Sequence, residues 1–209
     1  MPSSVPVPSR DVASDLSRSS VSSDASPTDE ELLAKARDGD SWAFKRLVDR
    51  YEDQVAATVV GMLGPGPEAD DVGQETFIRF YEAMDQFRGE ASLGTYLTRI
   101  AINQSLKAIR KRKRWYDRFF SRDDEESFID EPAVEGEEAV DENEHSEWVH
   151  KALQHLSEHH RSVVVLRLLE GYSTKETAEI LDIPEGTVMS RLYRATDRLE
   201  ELLGPLIDR

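Results

Sequence analysis

The sequence predicts an all-α protein made of two small helical domains joined by an acidic linker. Three observations carry this. Apolar residues recur every three or four positions between breaks rich in glycine or proline. No segment alternates apolar and polar residues as a half-buried strand does. Charge is segregated along a 209-residue chain of net charge -16: residues 89–120 hold eight basic groups against two acidic, and residues 121–147 hold thirteen acidic against one basic.

Residues 1–27 are mostly Ser, Pro, Val and Asp without periodicity and read as a disordered tail. Order begins at Thr28, because Thr28 and Glu31 have capping-box spacing. The short helix that follows reaches Asp38, and Gly39 stops it. A second helix starts near Ser41 with Trp42, Phe44, Leu47, Val48, Tyr51, Val55, Val59 and Met62 at helical spacing, and Gly64-Pro65-Gly66-Pro67 ends it. A third covers roughly 68–86, with Val72, Phe77, Phe80, Tyr81 and Met84 apolar, and Gly89 breaks it. A fourth runs from about Ser92 towards Arg118, with Leu93, Tyr96, Leu97, Ile100, Ala101, Leu106 and Ile109 inward. These four make a first domain over residues 28–120.

Residues 121–146 read as a solvated linker, about 28 Å across as a flexible coil and longer under self-repulsion. The second domain covers 147–204, a length that suits three or four helices around a small core. Residues 205–209 form a C-terminal tail. In this second domain Val163–Leu169 is apolar and stops at Gly171. Ser173 or Thr174 caps a short helix through Leu181, Asp182-Ile183-Pro184 turns the chain, and a further helix carries Val188, Leu192, Ala195 and Leu199 inward. This is a helix-turn-helix over Ser173–Leu192 and the turn that follows. Its second helix would enter the major groove with Thr187, Met189, Ser190, Arg191, Tyr193 and Arg194 outward. Arg191 and Arg194 suit phosphates or guanine edges. An ordinary helical hairpin with a solvated face is the competing reading.

Two further clusters bear on function. Arg99, Asn103, Lys107, Arg110 and Arg114 share one face of the fourth helix, with Lys111 and Arg112 beside them. Cations track a phosphate backbone. Of the aromatics that follow, Trp115, Tyr116, Phe119 and Phe120, most are expected in the core. On the third helix Asp71, Gln74, Glu75 and Arg79 lie together, which fits a solvated ion-pair face, a partner-docking face or a carboxylate metal pair. His155 and His159 are four apart, but a helix junction expected at Ser157 argues against a zinc site.

Composition narrows the classes. The absence of cysteine removes disulfides, thiolate metal sites and cysteine nucleophiles, and fits a reducing cytoplasm. No apolar run approaches the roughly 18 residues of a membrane span, and Met1–Arg10 lacks a signal pattern, so a cytoplasmic location without membrane insertion is expected. On these residues alone two functions compete: a helix-turn-helix regulator acting alone and a carboxylate-based helical metalloenzyme, which metal analysis tests.

The segments DVGQETFIRFYEAM (71–84), FRGEASLGTYLTRIAIN (87–103) and LSEHHRSVVVLRLLEGYSTKETAEILDIPEGTVMSRLYRA (156–195), in that order, resemble an extracytoplasmic-function sigma factor of bacterial RNA polymerase. The resemblance spans about residues 29–203. It implies that 28–120 is sigma region 2 and 147–204 region 4, and that the chain is no enzyme and needs no cofactor. Asp71, Gln74, Glu75, Phe77, Ile78 and Tyr81 would dock on the clamp helices of the beta-prime subunit of core polymerase. Phe87 and Arg88, in the loop 87–93, would capture an unstacked base of the −10 element. Arg99, Asn103, Lys107, Arg110, Lys111 and Arg112 would hold that strand. The helix-turn-helix would read the −35 duplex while another surface meets the beta flap, and the acidic linker would run through the polymerase cleft. Promoter DNA, core polymerase and an anti-sigma factor are the implied partners, with stress or envelope-response genes as targets. Three residues depart from the family pattern: Met189 stands where Lys or Arg is common, Asp182 where Gly is frequent, and Gly73 inside a helix.

Overall fold

Order starts at the capping box. In the computed structural model, which describes residues 26–120 and 142–207, the Glu31 amide donates to the Thr28 hydroxyl (3.3 Å) and the Thr28 amide to the Glu31 carboxylate (3.0 Å). This opens α1 (Asp29–Arg37). Asp40 accepts from the amides of Trp42 and Ala43 and caps α2 (Ser41–Leu63). Pro67 starts α3 (Pro67–Ala83), where its missing N–H is no loss, and one 3₁₀ turn, Met84–Gln86, closes it. The Ser92 hydroxyl accepts from the Thr95 amide (3.1 Å) ahead of α4 (Leu93–Phe120). The second half holds α5 (Glu142–Gln154), α6 (Glu158–Val164), α7 (Thr174–Leu181) and α8 (Glu185–Ile207). The fold is therefore all-α as the apolar periodicity predicts, with no strand among the described residues. The N-terminal tail to residue 25 and the linker over 121–141 lie outside the described residues.

Helices α1–α4 bury Leu32, Leu47, Val55, Val59, Met62, Phe80, Leu97 and Ile102. The buried hydroxyls of Thr58, Thr76 and Ser105 each donate to the carbonyl four residues back, at 2.8–2.9 Å, so none is left unsatisfied. Helices α5–α8 bury Leu153, Leu156, Val164 and Ala195, with Val163, Ala178 and Val188 in a second small cluster. The halves also touch: Val165, Leu166 and Ile180 pack into the core of the first.

Four details differ from expectation. Helix α5 begins at Glu142, inside the segment read as linker, because acidic residues suit a helix N-terminus. Helix α8 continues into the expected C-terminal tail as far as Ile207, since Pro205 near a helix end forfeits only one backbone bond. Residues Val165–Leu169 form a π turn, closed by the Glu170 amide on the Val165 carbonyl (2.9 Å), which leaves Leu168 and Leu169 outward. Trp115 and Tyr116 are exposed rather than in the core, because α4 runs straight into a segment where every residue from 110 to 118 is exposed. The side chains of Phe119 and Phe120 are not among those described.

Candidate nucleic-acid interface

The helix-turn-helix forms for local reasons. Ser173 and Glu176 make a second capping box, with amide-to-side-chain bonds of 2.8 and 3.2 Å at the start of α7. The Ser173 bonds hold the Glu176 carboxyl below its ordinary range. Asp182 then adopts the left-handed conformation (φ 53°, ψ 52°), as an Asp in place of Gly tolerates, and sends the chain into α8. Val188, Leu192, Ala195 and Leu199 face inward as predicted. Met189, Ser190, Tyr193 and Arg194 are exposed, with Met189 at 64% and Tyr193 at 73%; Thr187 and Arg191 are half-buried. The imidazole of His160, on α6, sits close enough to Arg194 and Arg191 for their charges to act on it. Its pKa is lowered from the ordinary value first by burial and then by those two cations. Sequence reasoning missed this neighbour of the recognition helix.

On α4, Asn103, Lys107, Arg110, Lys111 and Arg112 are exposed as predicted. Two already have carboxylate partners: Arg110 meets Glu158 (3.2 Å) and Arg112 meets Glu68 (3.0 Å). Such exposed pairs contribute little and exchange readily for phosphate. Arg99 is engaged differently, donating to the backbone oxygen of Glu179 on α7 (2.6 Å). In the loop before α4, Arg88 is exposed, whereas the Phe87 ring is half-buried against Tyr96 with centroids 4.9 Å apart. Arg37 holds that loop, donating to the carbonyls of Met84 (2.6 and 3.0 Å) and Phe87 (2.5 Å). Nothing in the sequence marks Arg37; only the fold brings it 50 residues forward.

Helix α3 turns Ala69, Thr76 and Phe80 inward and exposes Asp71, Gln74, Ile78 and Tyr81, with Glu75 and Phe77 half-buried. Arg79 pairs with Glu75 (2.7 Å) and Glu82 (3.1 Å). Ile78 and Tyr81 are each about half exposed beside acidic groups, an arrangement suited to a partner surface. Among the described residues no group of three or more His, Asp or Glu is placed to hold a metal, and no helix is long and apolar enough to cross a membrane. The helix does break at Ser157, which caps α6 between His155 and His159.

Sigma-70 region 2 matches residues 47–115, and a sigma-70 region 4 family matches residues 146–199. The chain is 34% identical over 184 residues to the RNA polymerase sigma-H factor of Pseudomonas aeruginosa, covering 86% of this chain and 95% of that protein. It is also 34% identical over 187 residues to the ECF RNA polymerase sigma-E factor of Escherichia coli K12, covering 87% and 97%. Among solved structures, the sigma factor RpoE of Bartonella quintana, in complex with the anti-sigma factor NepR, superposes with a TM-score of 0.61 at 28% identity, covering 79% of this chain and 98% of that one. CnrH, in complex with the cytosolic domain of CnrY, gives 0.59 at 25%, covering 85% and 97%.

Proposed function

We propose a division of labour among three surfaces of a chain that belongs to the sigma-70 family of RNA polymerase sigma factors, in its ECF group. The protein binds core RNA polymerase, recognises the −10 and −35 promoter elements and directs transcription initiation. The assignment of residues is ours. Asp71, Gln74, Glu75, Phe77, Ile78 and Tyr81 on α3 dock on the beta-prime clamp helices. Phe87 and Arg88, with Arg99, Asn103, Lys107, Arg110, Lys111 and Arg112 on α4, capture and hold the melted −10 strand. Thr187, Met189, Ser190, Arg191, Tyr193 and Arg194 on α8 read the −35 duplex. The observation that carries this is the exposure of an acidic-apolar face on α3 and a cationic face on α4, separate from the outward half of α8.

The mechanism needs no covalent chemistry. A chain of net charge -16 binds DNA weakly by itself; docking on polymerase brings both readers to one promoter, and tethered sites gain effective concentration. Unpairing is offset by capture of unstacked bases, a matter of a few kcal/mol per base. Met189 offers no hydrogen bond where a cation is common, so the −35 preference rests more on Arg191 and Arg194. The Bartonella relative is solved with an anti-sigma factor, which supports a regulator of that kind here. A cytoplasmic location and stress or envelope-response targets belong to the same reading.

The test is run-off transcription with core polymerase on a genomic library. Defined start sites are expected, and transcription at random starts would overturn the reading. Arg194→Ala is expected to lower yield about tenfold from −35-dependent promoters, matching one lost contact of 1–3 kcal/mol; equal yields refute its role.

His160 supplies a pH test. Its folded pKa is below the unfolded value, so folding favours the neutral ring and the domain loses stability as pH falls through the depressed pKa. Phosphates near Arg191 and Arg194 reverse that preference and favour the protonated ring. Affinity for −35 duplex is therefore expected to rise several-fold from pH 7.5 to 6, and His160→Gln to flatten the profile. A profile that His160→Gln leaves unchanged excludes the linkage.

A further inference from the structure

The leading end of α8 is built differently from the turns behind it. Between Glu185 and Ser190 it carries no cation; the first is Arg191, which is half-buried, and Arg194 follows three residues later. In a helix-turn-helix the N-terminal part of the second helix meets the base edges. What this part offers is bare backbone and one large apolar group. Gly186 lies in the first turn without a positive φ, and a β-carbon there would meet nothing within 4 Å. Glycine is a poor helix former, so neither turn geometry nor internal packing calls for it; its absent side chain lets the helix come close to a surface outside the protein.

Met189, three residues on, is 64% exposed, and Tyr193, four further, is 73% exposed. They share one face of the helix. They are the two most exposed large apolar side chains among the described residues. The Ser190 hydroxyl beside them is turned back onto its own helix, donating to the Thr187 carbonyl (3.1 Å).

Chemistry selects what meets this pair. Arg191 and Arg194 flank it and draw it to a polyanion. In the major groove base pairs present donors and acceptors, with a single apolar exception, the C5 methyl of thymine. We infer that Met189 is a specificity-determining residue that seats on a thymine methyl of the −35 duplex, with the Tyr193 ring beside it excluding water. The chain then prefers an A·T pair at a position where a cation in the same place would select guanine. The thioether is soft and unbranched, and adapts to the shape of the groove. Arg191 and Arg194 keep the hydrogen-bonded and phosphate contacts. The inference rests on the assignment of α8 as the −35 reader and goes beyond it by naming the base.

The probe is a set of promoter fragments recovered by run-off transcription that differ only in the −35 element, bound by the full chain with core polymerase and followed by fluorescence anisotropy. Deoxyuridine replaces each −35 thymine in turn, on either strand, so that a methyl group is all that is lost. At one position affinity is expected to fall about fourfold, or about 0.8 kcal/mol, the worth of one buried methyl. Met189→Ala is expected to bind the thymine and deoxyuridine forms alike, Met189→Leu to keep most of the difference, and Met189→Lys to favour a G·C pair at that position. Since the side chain is exposed, all three are expected to melt with the unsubstituted chain. Equal affinity for every deoxyuridine form overturns the inference, as do recovered −35 elements without an A·T pair. A methyl effect that survives in Met189→Ala also overturns it, by assigning the effect to another side chain or to DNA shape. The two levels fail apart: affinity that responds to scrambling the −35 element but not to the methyl removes only the base assignment, whereas affinity indifferent to scrambling removes α8 as the reader and this inference with it.

Discussion

Arg161→Met lowers the melting temperature by about 6–12 °C in a calorimetric scan, the largest stability effect expected of any single substitution here. The side chain is 5% exposed. Its Nη1 donates to the Met62 carbonyl (2.6 Å) and to the Gln154 side-chain oxygen, and its Nη2 to the carbonyls of Gln154 (2.6 Å) and Leu156 (2.9 Å). Three of these acceptors are backbone carbonyls at or just beyond the C-terminal ends of α2 and α5, which lack intrahelical partners. A cation there also meets the negative ends of two helix dipoles. Burial is the main reason its pKa falls from the ordinary guanidinium value to about 10, with Arg112 adding to it, and the group stays charged at neutral pH. Methionine preserves the volume and removes every donor. Each buried acceptor left unsatisfied costs about 1–3 kcal/mol, and water recovers part of that, for a net loss of about 3 kcal/mol. A domain pair of this size loses about 2–4 °C per kcal/mol. Arg161→Lys recovers only part, because one ammonium cannot serve four acceptors lying in different directions. A shift below about 2 °C for the methionine variant would show that the acceptors find other donors.

Ile78→Asp reduces affinity for core polymerase by at least thirtyfold and leaves the melting temperature unchanged. The side chain is 51% exposed next to Tyr81 at 53%, both on the outer face of α3, so the folded chain does not depend on it. Partner surfaces concentrate their energy in a few apolar anchors, each worth 2 kcal/mol or more. Thirtyfold corresponds to about 2 kcal/mol. Aspartate both removes the anchor and adds charge to a face that already holds Asp71 and Glu75. Fluorescence anisotropy of labelled chain against core polymerase measures the effect. Unchanged affinity would move the docking surface away from α3.

Most of the fold was legible because its signals are local. Thr28 with Glu31 and Ser173 with Glu176 form their capping boxes regardless of what lies far along the chain, and Asp182 makes its left-handed turn for the same reason. The outward half of α8 was legible too, since four apolar residues at helical spacing dictate which side faces out. Trp115 and Tyr116 were misplaced because aromatic character predicts burial only where the fold brings enough chain to cover the ring, and each stays about half exposed on the outer stretch of α4. Arg37, His160 and Tyr172 were illegible for another reason. Each acts on residues that only the fold brings within reach, as Tyr172 does 118 positions from Gln54. Faint signals did exist: Gln54 and Thr98 interrupt apolar helix faces, and Gly61 sits inside a helix with no turn to make.

The seam around Tyr172 is furnished with a phenol, a carboxamide and two threonine hydroxyls rather than an unbroken greasy sheet. Such groups find hydrogen bonds in bulk solvent as readily as in each other. The same seam also buries Val165, Leu166 and Ile180, so the polar groups set which partners meet while the apolar ones hold them together.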